Sequence, residues 1–433
     1  MIKFITRTDL TATLVRNSLI QILWWIVFFP GFFSGDSFGA VAIAKSGQLT
    51  NDFTASWAIY VWIFSLLGNA IGLLTLLNGL ILIYSLTRFA YSIFSPLIAS
   101  LASLILTLTP IVSGMGITLW HDILMTAGLL LLASLFVEFQ KKEAINKSDF
   151  FSLLIPGSVL ITFRPNGLPT MIFFALLFLI FYRKRSSLKI IMSSLAISSI
   201  VTLSTSYLVV RESPIDNFYA QEWMRNDISC YANSPKGIGF VEKWIPGIGN
   251  TDTWRSSDAC TFLNNAKITV EEKVEAQELI PSAWSQLIRE DPAFVLSTHL
   301  KRNSYLFPIP LYGIPKVPFL HSTIEYKYAG IAWAFPSIAE KARVLMRIWN
   351  AIRGITAWAG FWTLALVLFA TLGKRRELLI PTLLSISLSA ILFVVAPIPD
   401  GRYALFALIA GQLALLGVVL QWALSGSNRR PTD

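Results

Sequence analysis

Charged residues are scarce in this chain. They make up 14% of its 433 residues, against 54% hydrophobic. A soluble domain carries about 25% charged residues because its surface faces water. The deficit excludes a soluble globular protein and requires lipid over part of the surface. Cysteine is nearly absent too. Cys230 and Cys260, the only two, fall in one long polar segment, which suits a disulfide in an oxidising compartment and not a metal site or a redox pair. The three histidines (His121, His299, His321) are too dispersed for a histidine metal cluster. No G-x-x-x-x-G-K-[ST], G-x-G-x-x-G or H-E-x-x-H motif occurs, so no nucleotide cradle or zinc-protease helix is expected.

What the chain does have is long apolar runs. Runs able to cross about 30 Å of hydrocarbon lie near 15–33, 70–88, 95–113, 122–139, 149–163, 167–182, 189–210, 354–373, 378–396 and 403–424. The run at 149–163 is short and carries Pro156 and Gly157. Leu19 to Phe33 resembles a signal sequence, but no small-x-small cleavage site follows it, so it reads as an uncleaved first span. The expected fold is therefore an α-helical polytopic membrane protein of about ten spans. No ionisable residue falls at the middle of a predicted span, which counts against proton-coupled transporters and ion pumps.

The net charge of +10 could suggest nucleic acid, but its placement points to the membrane. Lys3, Arg7, Arg16, Arg88, Lys141, Lys142, Lys147, Arg183, Lys184, Arg185, Lys189, Lys374, Arg375, Arg376, Arg429 and Arg430 all stand on one side if both termini are cytoplasmic. The short outer loops keep only Lys45, Arg164 and Arg402. Residues 1–210 then form an N-terminal membrane region with a first outer loop at 34–69. Residues 211–353 form an extracytoplasmic, mainly helical domain with a helical stretch near 269–303, and 354–433 form a three-span C-terminal region. A crossing at 54–67 would break this parity. Its Trp57, Tyr60, Trp62 and Phe64 suit an interfacial helix; the alternative is a long, kinked second span that starts at Trp57.

Polar residues gather where spans meet the outer face. Gly35-Asp36-Ser37 follows the first span, Trp120-His121-Asp122 opens the fourth, Arg164-Pro165-Asn166-Gly167 joins the fifth to the sixth, and Pro399-Asp400-Gly401-Arg402-Tyr403 joins the ninth to the tenth. Four loops thus deliver carboxylates, two arginines and a histidine to one boundary, the arrangement expected of a site that meets a lipid headgroup. Each motif has a structural reading as well. Asp36 and Asp122 are good helix caps, and capping is the favoured role for Asp122. Asp36 opens a loop and not an obvious helix, which favours function. Arg164 and Arg402 could anchor at lipid phosphate, but tight Pro/Gly turns favour a fixed ligand-binding role.

The motifs in this order resemble the GT-C superfamily of membrane glycosyltransferases, which use polyprenyl-phosphate sugars. The long first outer loop (PGFFSGDSFGAVAIAKSGQLTND followed by SWAIYVWIF) is similar to theirs. A set of bacterial GT-C-like proteins shows an aspartate after the first span, W-[KH]-D, R-[HP]-N-G and a late D-x-R-Y-like element. Here these read GDS, WHD, RPNG and DGRY, and WSQLIREDPAFVLSTHLKRN is similar to their outer-domain helix. His121 stands where lysine is common and Pro165 where histidine is common. A largely neutral histidine neutralises phosphate less well than lysine, which bears on the donor's identity.

The resemblance implies an inverting glycosyltransferase of the bacterial inner membrane. It would move a sugar from a polyprenyl-phosphate donor to an extracytoplasmic glycan, lipid or protein, with no nucleic-acid partner. Asp36 would be the base. Arg164 and Arg402, assisted by His121, would hold the donor phosphate, with Asp122, Asn166, Asp400 and Tyr403 in support. The motifs name no certain cofactor, and Asp36 and Asp122 leave room for a divalent cation. A lipid-linked-glycan flippase or exporter is the alternative, and a non-enzymatic membrane assembly component the third reading.

Overall fold

The computed structural model describes residues 8–47, 54–68, 70–142, 146–181, 185–210, 221–248, 251–254, 268–309, 333–396 and 401–426. Helices dominate, and among the described residues the one β-type contact is an isolated parallel bridge between Phe32 and Thr118. The membrane-region helices are α1 (Leu10–Val27), α2 (Gly35–Ser46), α3 (Ala55–Leu66), α4 (Ile71–Ile93), α5 (Pro96–Thr107) and α6 (His121–Lys142). A segment of successive π, α and 3-10 turns then covers 150–163, with its α part, α7, at Ile155–Leu160. Next come α8 (Gly167–Phe181) and α9 (Arg185–Val210). Among the described residues, six helices are long and apolar enough to cross a membrane, and shorter apolar ones lie at Ala55–Leu66, Pro96–Thr107, Gly167–Ile180 and Ala359–Thr371. Each of the ten predicted runs carries helix. The run at 149–163, with its Pro156 and Gly157, is irregular, that at 95–113 passes into a π-helical turn at Pro110–Gly114, and that at 354–373 is split between Arg353–Thr356 and Ala359–Thr371.

The first run is shifted from its predicted bounds. α1 begins at Leu10 because the Asp9 carboxylate accepts from the Ala12 amide at 2.9 Å. It stops at Val27, short of Pro30, whose nitrogen carries no hydrogen to continue the ladder. Arg16 lies in the second turn of α1, toward its N-terminal end, and is buried. Its guanidinium donates to the Ser100 carbonyl at 2.9 Å and the Ser100 hydroxyl at 3.2 Å. Beside it, the Asn17 amide donates to Ser103 at 3.1 Å and Thr87 at 3.3 Å. These polar groups tie α1 to α4 and α5, where an unbonded polar group would be costly.

α6 is the central helix: 94% of its apolar window is buried inside the protein, and it packs against α4, α7 and the last helix. Its two ends differ. Glu138 pairs with Arg88 at 3.1 Å near the C-terminal end, whereas Asp122 opens the N-terminal end.

α3 is a helix of its own, capped at its start by Thr54 and ending at Leu67 before α4. Its aromatic face is more deeply packed than a half-wet interfacial helix requires. Trp57 is 1% exposed, and α3 lies against α2 and α9.

The longer remaining helices among the described residues are α10 (Glu222–Ala232), α11 (Gly237–Trp244), α12 (Val270–Glu290), α13 (Pro292–Arg302), α14 (Pro336–Ala351), α15 (Ala359–Thr371), α16 (Leu379–Val395) and α17 (Leu405–Gly426). The helical stretch near 269–303 is two helices, not one. A Thr269/Glu272 capping box starts α12, and Asp291-Pro292 breaks the run and caps α13. α10 to α13 build a second apolar core around Ile228, Tyr231, Phe240, Trp254, Ile280 and Leu287.

Buried Asp227 of α10 fastens this core to the membrane helices. Its carboxylate accepts from Trp284 Nε1 at 2.9 Å and from Arg302 at 2.7 Å. His299 Nε2 lies 2.7 Å from the same carboxylate, and His299 Nδ1 lies 2.8 Å from the Phe393 carbonyl near the end of α16. Burial alone would raise the Asp227 carboxyl, but the His299 hydrogen bond and the Arg302 charge outweigh it and hold it below the usual carboxylate range.

Candidate functional site

The site forms where two chain segments run side by side after α1 and before α6. The turn at Pro30–Gly31 places Gly31 at φ +123°, a conformation that glycine tolerates. The Phe32 amide donates to the Ile117 carbonyl at 3.0 Å, and the Leu119 amide donates back to the Phe32 carbonyl at 2.9 Å. Trp120 Nε1 donates to the Ser34 hydroxyl at 2.5 Å, and the Ser37 hydroxyl donates to the Leu119 carbonyl at 3.0 Å. This zipper brings Asp36 next to His121 and Asp122, which are more than eighty residues away along the chain.

A third segment arrives through α3. The Thr54 hydroxyl donates to the Phe163 carbonyl at 2.9 Å, and Tyr60 stacks near Phe163 with ring centres 5.2 Å apart. Arg164 follows directly. The Gly167 amide closes the turn on the Arg164 carbonyl at 3.0 Å. A β-carbon at Gly167 would meet the Ile161 carbonyl oxygen at 1.7 Å, so this turn requires glycine. The fourth segment is the 3-10 turn Gly401–Ala404, which carries Arg402 and Tyr403.

The four segments meet in one ion-pair chain. Asp122, with a fully buried side chain, pairs with Arg164. Arg402 Nε lies 4.0 Å from the other oxygen of Asp122, and its Nη2 lies 2.5 Å from Asp36. The order is therefore Arg164, Asp122, Arg402, Asp36. Aromatic faces hold the cations: the Arg164 guanidinium sits 4.0 Å from the Tyr403 ring centre, and that of Arg402 sits 4.6 Å from Trp120. His121 is 5% exposed, lies beside Trp57 with ring centres 5.9 Å apart, and is within electrostatic range of both arginines. Asn166 is also buried, and neither polar atom of its side chain has a hydrogen-bond partner among the described residues. Arg164 Nε is likewise buried without one. Such groups normally find partners, so they suit contact with a polar ligand.

The structure therefore gathers Asp36, His121, Asp122, Arg164, Arg402 and Tyr403, with Asn166 next to Arg164 in the chain. Asp400 and Cys260 lie outside the described residues. No free cysteine occurs among the described residues. Two expectations are corrected. Asp36 does not open a loop; it sits in the first turn of α2. Asp122 occupies the first turn of α6, yet one oxygen of its carboxylate pairs with Arg164, and the other faces Arg402 at 4.0 Å with no hydrogen-bond partner among the described residues, so neither caps the helix. The arginines also bear on a metal. Arg402 lies against both Asp36 and Asp122, where a shared divalent cation would need to sit. No group of three or more His, Cys, Asp or Glu side chains able to hold a metal occurs among the described residues.

One carboxylate was not singled out in the sequence. Glu222, in the first turn of α10, lies within electrostatic range of Asp36, Arg402 and Arg164. It stands in the polar outer segment, far along the chain from every motif, and only tertiary packing brings it here.

No protein-family model matches the chain, and no curated protein matches it. Among solved structures it is similar to a crystal structure of ArnT from Cupriavidus metallidurans bound to undecaprenyl phosphate, at 14% identity and a TM-score of 0.40, covering 96% of this chain and 79% of that one.

Proposed function

We propose that this protein is a membrane glycosyltransferase that takes a sugar from a polyprenyl-phosphate donor and passes it to an acceptor outside the cytoplasm. One observation carries the reading: four segments far apart in sequence converge so that two buried arginines flank one buried carboxylate beside a second, partly exposed one. Preorganised guanidinium groups stabilise charge that develops on a departing phosphate, and they do so most strongly where water is excluded. Each guanidinium can hold two phosphate oxygens at once. Tyr403 and Trp120 fix their planes, Asp122 keeps the two cations from repelling each other, and Asn166 and His121 offer further polar contact.

In the reaction, the acceptor oxygen attacks the anomeric carbon as the bond from that carbon to the phosphate oxygen breaks. The electron pair leaves with the lipid monophosphate, held by Arg164 and Arg402, and the configuration inverts. The acceptor proton passes to a carboxylate of the cluster. Asp36 is the one that the sequence motif names, and its side chain is 37% exposed, so a substrate can reach it. No nucleotide fold is needed because the lipid tail provides binding from the bilayer. An apolar groove of about 200 Å³ between α1 and α14, lined by Leu23, Trp24, Val27, Phe28, Ala342 and Leu345, is suited to a hydrocarbon chain. It lies beside the aromatic contact of Phe28, Phe32 and Trp333, a few residues before Asp36.

The test is purified protein in vesicles with labelled polyprenyl-phosphate hexoses and pentoses and a panel of envelope acceptors. Release of lipid phosphate, insensitive to free nucleotide sugars, is expected. Movement of the intact lipid-linked sugar between leaflets without cleavage would instead make the protein a flippase.

A further inference from the structure

α14 stands in the segment expected to form part of the extracytoplasmic domain, yet much of its open side is apolar. Ile338, Val344, Leu345, Ile348 and Ile352, the residue that ends the helix, are each 49–58% exposed. At 3.6 residues per turn they fall within one stripe about 120° wide. Ala339 and Met346 are buried on the opposite side. Soluble proteins seldom leave so continuous an apolar face to water.

Contacts with α1 set the depth of this helix. Just before it, the Ala334 amide donates to the Phe29 carbonyl at 3.0 Å, and Trp333 packs edge-on against Phe28 and Phe32. Farther along, Ala342 and Leu345 close the groove against Leu23, Trp24, Val27 and Phe28. Those four residues stand at the end of α1, which is apolar and long enough to span a membrane. α14 therefore lies at the level of the last apolar turns of a span and not above them. Leu23 and Leu345 both line the groove and both stay open, at 61% and 49% exposed, so the open apolar side of α1 continues onto α14. After Ala351 the chain soon enters apolar α15 at Ala359, which ties the other end of α14 to the membrane helices as well.

The charges are placed to match. Arg343 pairs with Glu340 at 2.8 and 3.0 Å, and these two with Arg347 fall within about 60° of one another, on the edge of α14 opposite the groove. Lys341 is the charged residue within the stripe. Its four-carbon stem can lie along the apolar side chains while the ammonium reaches headgroup phosphate. Three cations against one carboxylate suit a phosphate-rich boundary. We propose that α14 is an in-plane membrane helix. Its apolar stripe sinks into the acyl chains of the leaflet next to the ion-pair chain, and its basic edge stays at the headgroups. Helices of this kind bury their apolar face about 5–10 Å into the boundary. Anchored so, α14 sets the height of the ion-pair chain relative to the phosphates. The proposal does not depend on the glycosyl-transfer reading.

The experiment uses the full-length protein in vesicles of phosphatidylethanolamine and phosphatidylglycerol. Nitroxide labels are introduced through Val344→Cys, Ile348→Cys and Ile352→Cys, with Leu19→Cys on α1 and Glu340→Cys as controls, and any signal from labelled wild type is subtracted. The ratio of oxygen access to access by a water-soluble nickel chelate should be several-fold higher at the three stripe positions than at Glu340→Cys, and close to that at Leu19→Cys. A stripe ratio equal to that of Glu340→Cys would place α14 in water and overturn the proposal. Exclusion of both reagents would mean that a second copy or another protein covers the stripe, and would overturn it too. Wild type gives a reading free of substitutions. A phospholipid with a diazirine on its acyl chain should crosslink to residues 344–352 as it does to α1. Crosslinks on α1 with none on 344–352 would overturn the proposal even if the cysteine variants do not fold.

Discussion

Asp122→Asn separates two accounts of the residue that sits at the centre of the ion-pair chain. As a helix cap, Asp122 would be replaced almost without loss, since asparagine caps as well as aspartate; the cost would be a few tenths of a kcal/mol. The structure makes a different demand. The Asp122 side chain is fully buried between Arg164 and Arg402, whose side chains are 10% and 6% exposed. Asparagine keeps the shape but removes the negative charge, and two buried guanidinium groups are left facing a neutral amide. Breaking a buried pair by removing one partner costs about 3–5 kcal/mol, because an uncompensated charge stays buried. The variant should therefore unfold at clearly lower denaturant in detergent micelles and bind a polyprenyl phosphate less well. A double variant, Asp122→Leu with Arg164→Met, should recover much of the stability, since a buried pair can be replaced by apolar groups at little cost. It should not recover turnover. The assay is equilibrium unfolding followed by tryptophan fluorescence, with lipid-phosphate binding measured alongside. An Asp122→Asn protein within about 1 kcal/mol of wild type would refute the ion-pair account and restore the capping one.

Arg164→Lys and Arg402→Lys keep the charge and lose the planar fork, so each should weaken binding of a polyprenyl phosphate and slow turnover; Lys45→Ala, at an exposed position in the last turn of α2, should do less, and equal effects would speak against bidentate phosphate binding. Because the folded Asp227 carboxyl is depressed, its contribution to stability is present above about pH 4, the unfolded value, and is lost as pH falls through the lower folded value. Hydrogen-exchange protection of α13 should therefore hold from pH 7 to pH 5 and drop only in stronger acid, whereas a loss near pH 6 would contradict it. We also propose that Cys230 and Cys260 form a disulfide contributing about 3 kcal/mol; thiol labelling of the denatured, unreduced protein should find neither cysteine, and two labelled thiols would exclude it. Reporter fusions at positions 186 and 250 should give opposite signals if both termini are cytoplasmic and 211–353 is external; matching signals would overturn that orientation.

The sequence alone determined the fold class and where the site would gather. Fifty-four per cent hydrophobic residues with 14% charge leave no soluble solution, and hydrophobic length is set by the bilayer, so the apolar runs could be read locally. The four polar loops were legible for the same reason: span ends are fixed by hydropathy, and charge is rare enough between spans that Asp36, Asp122, Arg164 and Arg402 stand out. Helix ends were less so. The Asp9 cap and Pro30 together slide the first helix to Leu10–Val27, several residues before the apolar run that hydropathy marks.

Only the tertiary structure decided which charge meets which. Nothing local distinguishes an Asp122 that caps its helix from one that sits between two arginines, because the arginines come from turns 42 and 280 residues further along the chain. Nor does anything local mark Glu222, one acidic residue among many in a polar segment. Its electrostatic neighbours come from distant segments, which no periodicity encodes. Hydropathy acts residue by residue and survives in the sequence, whereas ion pairing depends on distances that exist only once the helices have packed.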